Sequence, residues 1–249
     1  QYSLSAGDRV VLDASSVSRG EEITVEAEGL GDFKGNVAGD LQQAVSQPVA
    51  NGDLVINEIL FDPISDDRDG LPDQSEYIEI YNRSSFAISL EGIVLHDEPD
   101  EDGDVSIIEP VDSRRQWLPA GGYAVIYPEP ENISFGEGRL AGFFGIDSGE
   151  VISALRTDRT SLSLPNDGRQ VYLADSTLSM IDMVEYSEEW HNPNLIDPKG
   201  VALERINPDF ESNNASNWGS NSTPLGGSPL AQNSIFQGDD GSITGVGVE

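Results

Sequence analysis

The stretch LVINEILFDP at residues 54–63 decides the fold, because apolar and polar residues alternate along it. Such alternation predicts a β-strand with one buried face. Val55, Asn57 and Ile59 are predicted on one face, and Ile56, Glu58 and Leu60 on the other. The segments EYIEIYNRSS at 76–85 and ISLEGIVLHD at 88–97 alternate in the same way, with Tyr77, Glu79 and Tyr81 opposing Ile78 and Ile80 in the first. The three segments together predict an antiparallel β domain.

Short alternating runs separated by turn residues continue to about residue 236, and no helical period accompanies them. Further strands are predicted at 105–108, 122–127, 151–155, 161–164, 170–174, 180–186 and 201–206. The sharpest predicted hairpin is LSLPNDGRQVYLAD at 162–175, where Asn166, Asp167 and Gly168 tolerate positive φ between two alternating runs. The order of strand, turn and strand is typical of a β-meander.

The order of INEI, an acidic loop, EYIEIYN, a short turn and LEGIVLHD resembles the opening of the lamin-tail domain. Later segments are similar to that family as well: SLPNDGRQVYL, IDMVEYS, ALERINPD and the closing NWGSNSTPLGGSPLAQNS. The resemblance implies an all-β fold, an immunoglobulin-like antiparallel β-sandwich of lamin-tail type, over residues 51–236. The acidic, Pro- and Gly-rich stretch at 97–150 departs from the family pattern and leaves the strand register there open.

Residues 1–50 carry two short alternating runs, RVVLDA at 9–14 and EITVEAEGL at 22–30, which cannot bury a core alone. The segment ITVEAEGLGDFKGN is similar to the last strands of a bacterial immunoglobulin-like repeat, which implies a partial module of a longer protein with flanking domains. The alternative is that these strands extend the sandwich. Residues 41–53 read as a linker, and the Gly-rich residues 237–249 as a flexible tail or a second linker.

Net charge is the outlier of the composition, because 45 acidic residues face 13 basic ones and give −32. A chain with only two lysines, Lys34 and Lys199, is typical either of a protein from a high-salt organism or of an acidic secreted bacterial protein. The resemblance to the lamin-tail domain, which recurs in bacterial secreted and surface proteins, implies an extracellular or cell-surface location. Nucleic acid is disfavoured as a partner, because binding phosphates requires a basic face.

Several chemistries find no support in the sequence. Without cysteine there is no disulfide, thiol nucleophile or Cys-ligated zinc, and no apolar run approaches the ~20 residues of a membrane-spanning helix. No serine-hydrolase elbow or phosphate-binding glycine loop is present, and the two histidines, His96 and His191, stand in no catalytic spacing. No catalytic residue is predicted.

Two acidic loops have the spacing of calcium-binding loops. The first, SDDRDGLPDQSE at 65–76, supplies Asp67, Asp69, Asp73 and Glu76; the second, EPDEDGDVSIIE at 98–109, supplies Glu98, Asp100, Asp102 and Glu109. Calcium takes six to eight oxygens, and alternate acidic residues before a glycine bring carboxylates to one point. The competing interpretation is that so acidic a chain produces such spacings by chance in solvated loops.

One aromatic cluster is predicted to be exposed, Tyr186 and Trp190 beside His191, whereas Trp117 and Trp218 are predicted to be core residues. Exposed aromatic rings stack on sugars, which makes Tyr186 and Trp190 candidate carbohydrate-binding residues. The sequence therefore favours a non-catalytic adhesion, anchoring or spacer module of an exported bacterial surface protein. The alternative is an accessory polysaccharide-binding domain of a secreted hydrolase or nuclease.

Overall fold

The computed structural model describes residues 2–4, 10–12, 23–27, 41–45, 49–65, 73–111, 116–130, 133, 138–146 and 153–238. The chain divides into two compact units, Gln1–Pro48 and Val49–Glu249. In the first unit, β1 (Tyr2–Leu4) pairs antiparallel with β2 (Val10–Leu12), and β3 (Ile23–Ala27) pairs antiparallel with β4 (Leu41–Val45). The predicted strand regions at 9–14 and 22–30 contain β2 and β3.

The second unit is built from short strands. In the described residues these are β5 (Leu54–Leu60), β6 (Tyr77–Asn82), β7 (Ile88–Ser89), β8 (Val94–His96), β9 (Ile107–Ile108), β10 (Trp117–Leu118), β11 (Tyr123–Pro128), β12 (Ala154–Thr157), β13 (Gly168–Ala174), β14 (Met180–Ser187), β15 (Leu203–Arg205) and β16 (Trp218–Ser220). One α-helix, α1 (Arg139–Phe144), and two single-turn 3-10 helices, Glu188–Trp190 and Ala215–Asn217, accompany them. No described helix is long and apolar enough to cross a membrane.

Two sheets form the sandwich. The six-stranded sheet has the order β12-β11-β6-β5-β15-β16, the four-stranded sheet has the order β14-β13-β8-β9, and β7 pairs with β10 beside them. The main core cluster takes Ile56 and Ile80 from the larger sheet and Leu95, Leu173 and Val184 from the smaller one. The prediction of an all-β, immunoglobulin-like antiparallel sandwich is confirmed.

A β-bulge at Asn57 changes the face assignment of the first strand. Ile56 pairs with Ile80, but the next paired residue, Glu58, pairs with Glu79, so Asn57 is the extra residue. Because the bulge reverses the alternation, Ile56 and Ile59 enter the same core cluster. The strict alternation predicted for β5 is therefore wrong after Ile56. The alternation predicted for β6 is confirmed, because Ile78 joins the main core cluster and Tyr77 joins the cluster on the opposite face of the sheet.

The expectation of a single buried face is also wrong for β5, since all seven of its residues are buried. A second cluster, with Leu60, Tyr77 and Leu140 among its members, covers the outer face of the larger sheet. Leu140 belongs to α1, which lies in the crossover between the parallel neighbours β11 and β12. This crossover falls in the stretch where the sequence left the strand register open.

Residues 161–164 form a loop rather than the predicted strand, and Ser163 has a φ of 59°. The predicted turn is present, because Gly168 N donates to Pro165 O at 3.2 Å, but β13 pairs with β14 and β8 instead of with residues 161–164. Gly168 has a φ of +113°, and a Cβ there would lie 2.2 Å from the Tyr186 carbonyl oxygen. Glycine is thus required at the start of β13.

Candidate functional site

Three glutamates form a row across the outer face of the larger sheet. Glu58 on β5 is paired in register with Glu79 on β6 and with Glu204 on β15, so the three side chains stand on neighbouring strands. Each of them is 0% exposed. Buried carboxyl groups on adjacent strands repel one another when they are ionised, so this arrangement needs protons or strong hydrogen bonds to persist.

A covering segment, residues 221–235, supplies many of those hydrogen bonds. Glu204 accepts from Asn221 Nδ2 at 2.6 Å, from Ser234 Oγ at 2.6 Å and from Ile235 N at 3.2 Å, and also from Ser228 Oγ and Ser234 N. Glu204 is therefore the acceptor that holds both ends of the covering segment against the sheet.

The other two glutamates have fewer partners. Glu79 accepts from Asn57 Nδ2 at 2.9 Å and from Leu230 N at 2.5 Å, and Glu58 Oε1 accepts from the Tyr77 hydroxyl at 2.8 Å and from Ser228 N at 2.9 Å. The second oxygen of Glu58, Oε2, is buried without a hydrogen-bond partner among the described protein atoms. A protonated carboxyl group fits that position better than an ionised one.

Burial raises the pKa of Glu58 from 4.5 to about 8, and the nearby Glu204 contributes to the same upward shift. Burial followed by the charge of Glu58 also raises the pKa of Glu79 well above its usual value. The same two causes raise the pKa of the Tyr77 phenol. At neutral pH the row therefore carries fewer charges than three glutamates would carry in water.

Glu58→Gln is expected to change how stability depends on pH. Because the folded pKa of Glu58 is about 8 and the unfolded value is near 4.5, the folded wild type retains a proton that the unfolded chain releases. The contribution of Glu58 to the free energy of unfolding is fully present below pH 4.5. It decreases by about 1.4 kcal/mol per pH unit between pH 4.5 and 8. Glutamine does not titrate, so the variant gains stability relative to wild type from pH 5 to 8, measured by urea unfolding at constant ionic strength.

To a first approximation, subtracting the free energy of unfolding of wild type from that of Glu58→Gln cancels the contributions of the other titrating groups. Burial lowers the pKa of His191 to about 4, which makes stability fall with decreasing pH, but His191 is common to both proteins. Parallel stability curves for wild type and Glu58→Gln between pH 5 and 8 would contradict a protonated Glu58.

Glutamates with raised pKa values are suited to proton transfer in enzymes, but this row is closed. All three side chains are inaccessible and the covering segment lies over them. The arrangement can store protons and hold a segment in place, while its carboxyl groups meet no substrate.

The first acidic loop is only partly described, and Asp67 and Asp69 lie outside the described residues. Asp73 accepts from Ser65 Oγ at 3.1 Å. The Glu76 carboxylate accepts from Leu162 N at 2.6 Å, from Leu164 N at 3.1 Å and from Ser161 Oγ at 2.7 Å. Glu76 thus anchors the loop at 161–164.

The second acidic loop folds around one of its own carboxylates. Asp100 Oδ1 accepts from Asp102 N at 3.0 Å and from Asp104 N at 2.9 Å, whereas Glu98, Asp102 and Glu109 are exposed. In the described part of the chain, no three His, Cys, Asp or Glu side chains are grouped to hold a metal ion. Calcium binding at the two loops stays a prediction.

The aromatic cluster is not exposed as expected. Tyr186 is 1% exposed, its hydroxyl donates to Pro165 O at 2.8 Å, and its ring stacks on Phe61 with a centroid distance of 5.0 Å. His191 is buried too, and the half-buried Trp190 packs against the core and lies 6.0 Å from Trp218. Since Tyr186 offers no ring face to solvent, the expected Tyr186 and Trp190 platform does not form.

A buried ion pair between β15 and β14 joins the two sheets. Arg205 on β15 is 0% exposed, and its Nη2 lies 3.6 Å from Asp182 Oδ2 on β14. The same oxygen of Asp182 accepts from Ile56 N at 2.7 Å, and the Arg205 guanidinium lies 5.3 Å from the centre of the Trp218 ring. Burial lowers the pKa of Arg205 to about 10 although Asp182 raises it, so the attraction only partly offsets desolvation.

Sequence reasoning missed Glu204, Arg205 and Asp182, and placed Glu58 and Glu79 on strands without a role. The available signal was an ionisable residue in the middle of an apolar strand, as in VINEIL, YIEIY and ALERI. Such residues are rarely buried unless paired, so their positions mark either an exposed face or a covered polar row. The covering segment decides between the two, and it is distant in sequence.

The family model of the lamin tail domain matches residues 47–188, which is more than half of the chain and spans β5 to β14. No curated protein matches the chain. Glu204, Arg205 and the covering segment lie beyond the matched residues.

Proposed function

This chain belongs to the lamin tail domain family, and from that membership we propose that it acts as a non-catalytic anchoring, adhesion or spacer module of a larger exported bacterial surface protein. The observation that carries the non-catalytic part is the closed glutamate row. The raised pKa values of Glu58 and Glu79 are of the kind that enzymes use, yet both carboxyl groups are 0% exposed. The division into two compact β units supports a modular parent protein.

The charge supports the exported part of the proposal. A net charge of −32 keeps a protein soluble and monomeric at high ionic strength, which suits a module standing outside the cell. Immunodetection of the natural protein in fractionated source cells tests it. We expect the protein in the surface or extracellular fraction, and confinement to the cytoplasmic fraction would contradict export.

The non-catalytic part is tested with purified protein and chromogenic glycosidase, esterase, peptidase and phosphodiesterase substrates. We expect no turnover above buffer, with or without calcium. Turnover that disappears in Glu58→Gln or Glu79→Gln would overturn the proposal, because those residues would then be acting as accessible acids.

We further propose that calcium stabilises the acidic loops. The second loop leaves Glu98 and Asp102 exposed on either side of Asp100, where a divalent ion would reduce their repulsion. Titration of chelator-treated protein with calcium is expected to release or absorb heat and to raise Tm by a few degrees. Asp100→Asn/Asp102→Asn is the matched variant. A wild type without heat or Tm change at about 5 mM calcium, far above the Kd of weak extracellular sites, would contradict the proposal.

A further inference from the structure

A groove of about 390 Å³ runs along the outer edge of β14. Its lining includes Met180 and Met183 of β14, Val55 of β5, and Phe210, Glu211 and Asn213 of the loop after β15. The groove is separate from the closed glutamate row. It lies between the edge of β14 and the loop at 209–213.

The open edge belongs to the longest described strand, β14, which is eight residues long and is the last strand of its sheet. Both ends of this edge are covered: Gly52 N donates to Ile181 O at 2.8 Å, and Glu185 N donates to Asn213 Oδ1 at 2.8 Å. Met183 lies two residues before Glu185, so its N–H and C=O point in the same direction as Glu185 N, into the groove. Between the two covered ends, the edge of β14 thus offers the N–H and C=O of one residue, Met183.

Acidic side chains line the groove. Asp209 and Glu211 are exposed, and within the described residues neither forms an ion pair, whereas the deeper Asp182 is paired with Arg205. Arg83 closes one end, and its guanidinium donates to Gly52 O and to Pro208 O. A ligand entering the groove therefore meets two free carboxylates.

Apolar side chains border the same groove. Phe210 is 58% exposed and Met180 is 49% exposed, and both line the groove. Exposed aromatic and methionine side chains are typical anchors of protein interfaces. A strand edge flanked by apolar side chains and carboxylates matches an extended peptide that presents Lys or Arg next to apolar residues.

We propose that this groove binds an extended basic peptide segment of another protein, whose backbone pairs with the edge of β14 at Met183. The peptide backbone pairs with Met183, its apolar side chains contact Phe210 and Met180, and its Lys or Arg side chain lies near Asp209 and Glu211. A second copy of this chain fits poorly, since two chains of charge −32 repel each other. The site goes beyond the anchoring role, which the cell-fractionation result tests without reference to peptide binding.

Fluorescence anisotropy with labelled peptides of about ten residues tests the proposal. The probe alternates Val and Thr and carries two Lys residues, and its matched controls carry Glu instead of Lys or N-methyl groups along one edge. We expect the basic peptide to bind with a micromolar Kd that weakens at high salt, and the acidic and N-methylated peptides to bind at least tenfold more weakly.

Variants locate the binding. Phe210→Ala is expected to weaken the basic peptide about tenfold, and Asp209→Asn/Glu211→Gln about five- to twentyfold with a flatter salt dependence. Ile196→Ala, at a fully exposed position outside the groove, serves as the control and leaves Kd unchanged. All of these positions are exposed, so folding of each variant is checked by Tm.

Three results would overturn the proposal. The first is no binding of the basic peptide at about 1 mM, the concentration at which even weak recognition is detected. The second is equal binding of the N-methylated peptide, which would exclude backbone pairing at Met183. The third is a dimer of this chain that Phe210→Ala abolishes, which would assign the groove to a second copy.

Discussion

Glu204→Ala is expected to lower the free energy of unfolding by about 3–5 kcal/mol, because a buried donor that loses its acceptor costs about 1–3 kcal/mol and several donors are affected together. Alanine leaves five donors without their acceptor, including Asn221 Nδ2, Ser228 Oγ and Ile235 N. It also leaves a cavity under the covering segment, residues 221–235. Urea unfolding at pH 7 measures the loss.

Two variants separate the acceptor role of Glu204 from its size and charge. Glu204→Gln keeps the volume and one acceptor oxygen, so we expect a smaller loss of about 1–2 kcal/mol. Glu91→Ala removes an exposed glutamate and is expected to change stability by less than about 0.5 kcal/mol. Equal stabilities of Glu204→Ala and Glu91→Ala would show that the covering segment is held by other contacts.

The charge interaction between Glu204 and Glu58 can also be measured, through the pH dependence of the free energy of unfolding. Because the charge of Glu204 raises the pKa of Glu58, its removal lowers the pKa of Glu58 toward the ordinary value. The stability difference between Glu204→Gln and the double variant Glu58→Gln/Glu204→Gln should therefore depend less on pH between 5 and 8 than the difference between wild type and Glu58→Gln. An unchanged pH dependence would mean that burial alone protonates Glu58.

The strands that sequence could predict are those in which local pattern and tertiary burial agree. On β6, Ile78 and Ile80 face the main core and Tyr77 faces the outer cluster, as the alternation indicates. On β5 the same reasoning fails at Asn57. A bulge depends on pairing with the neighbouring strand, and the alternation in VINEIL contains no sign of it.

The site was harder to predict, because the partners of its residues lie far away in sequence. Asn233 is 176 residues from Asn57, to which it is hydrogen-bonded, and Ser228 is 170 residues from Glu58. Tyr186 was predicted to be exposed but is buried. Polar neighbours made it look exposed, while Phe61 and the Pro165 carbonyl bury it in the folded chain.

Asp182→Ala is expected to cost about 3–5 kcal/mol as well, by a different physical cause. The substitution leaves the Arg205 guanidinium, which is 0% exposed, without its ion-pair partner. It also removes the acceptor of Ile56 N, at the point where β14 meets β5. The loss should appear as a lower denaturant midpoint in urea, with the m-value nearly unchanged if unfolding remains two-state.

Arg205→Met supplies the decisive comparison. Methionine removes the buried charge and fills a similar volume, while Asp182 retains its hydrogen bonds from Ile56 N and Ser212 Oγ. If the damage in Asp182→Ala comes from an uncompensated guanidinium, the double variant Asp182→Ala/Arg205→Met is more stable than Asp182→Ala by about 1–3 kcal/mol, since it lacks the same acceptor but leaves no unpaired charge inside. If the double variant is no more stable than Asp182→Ala, the acceptor of Ile56 N holds the sheets together and the ion pair does not.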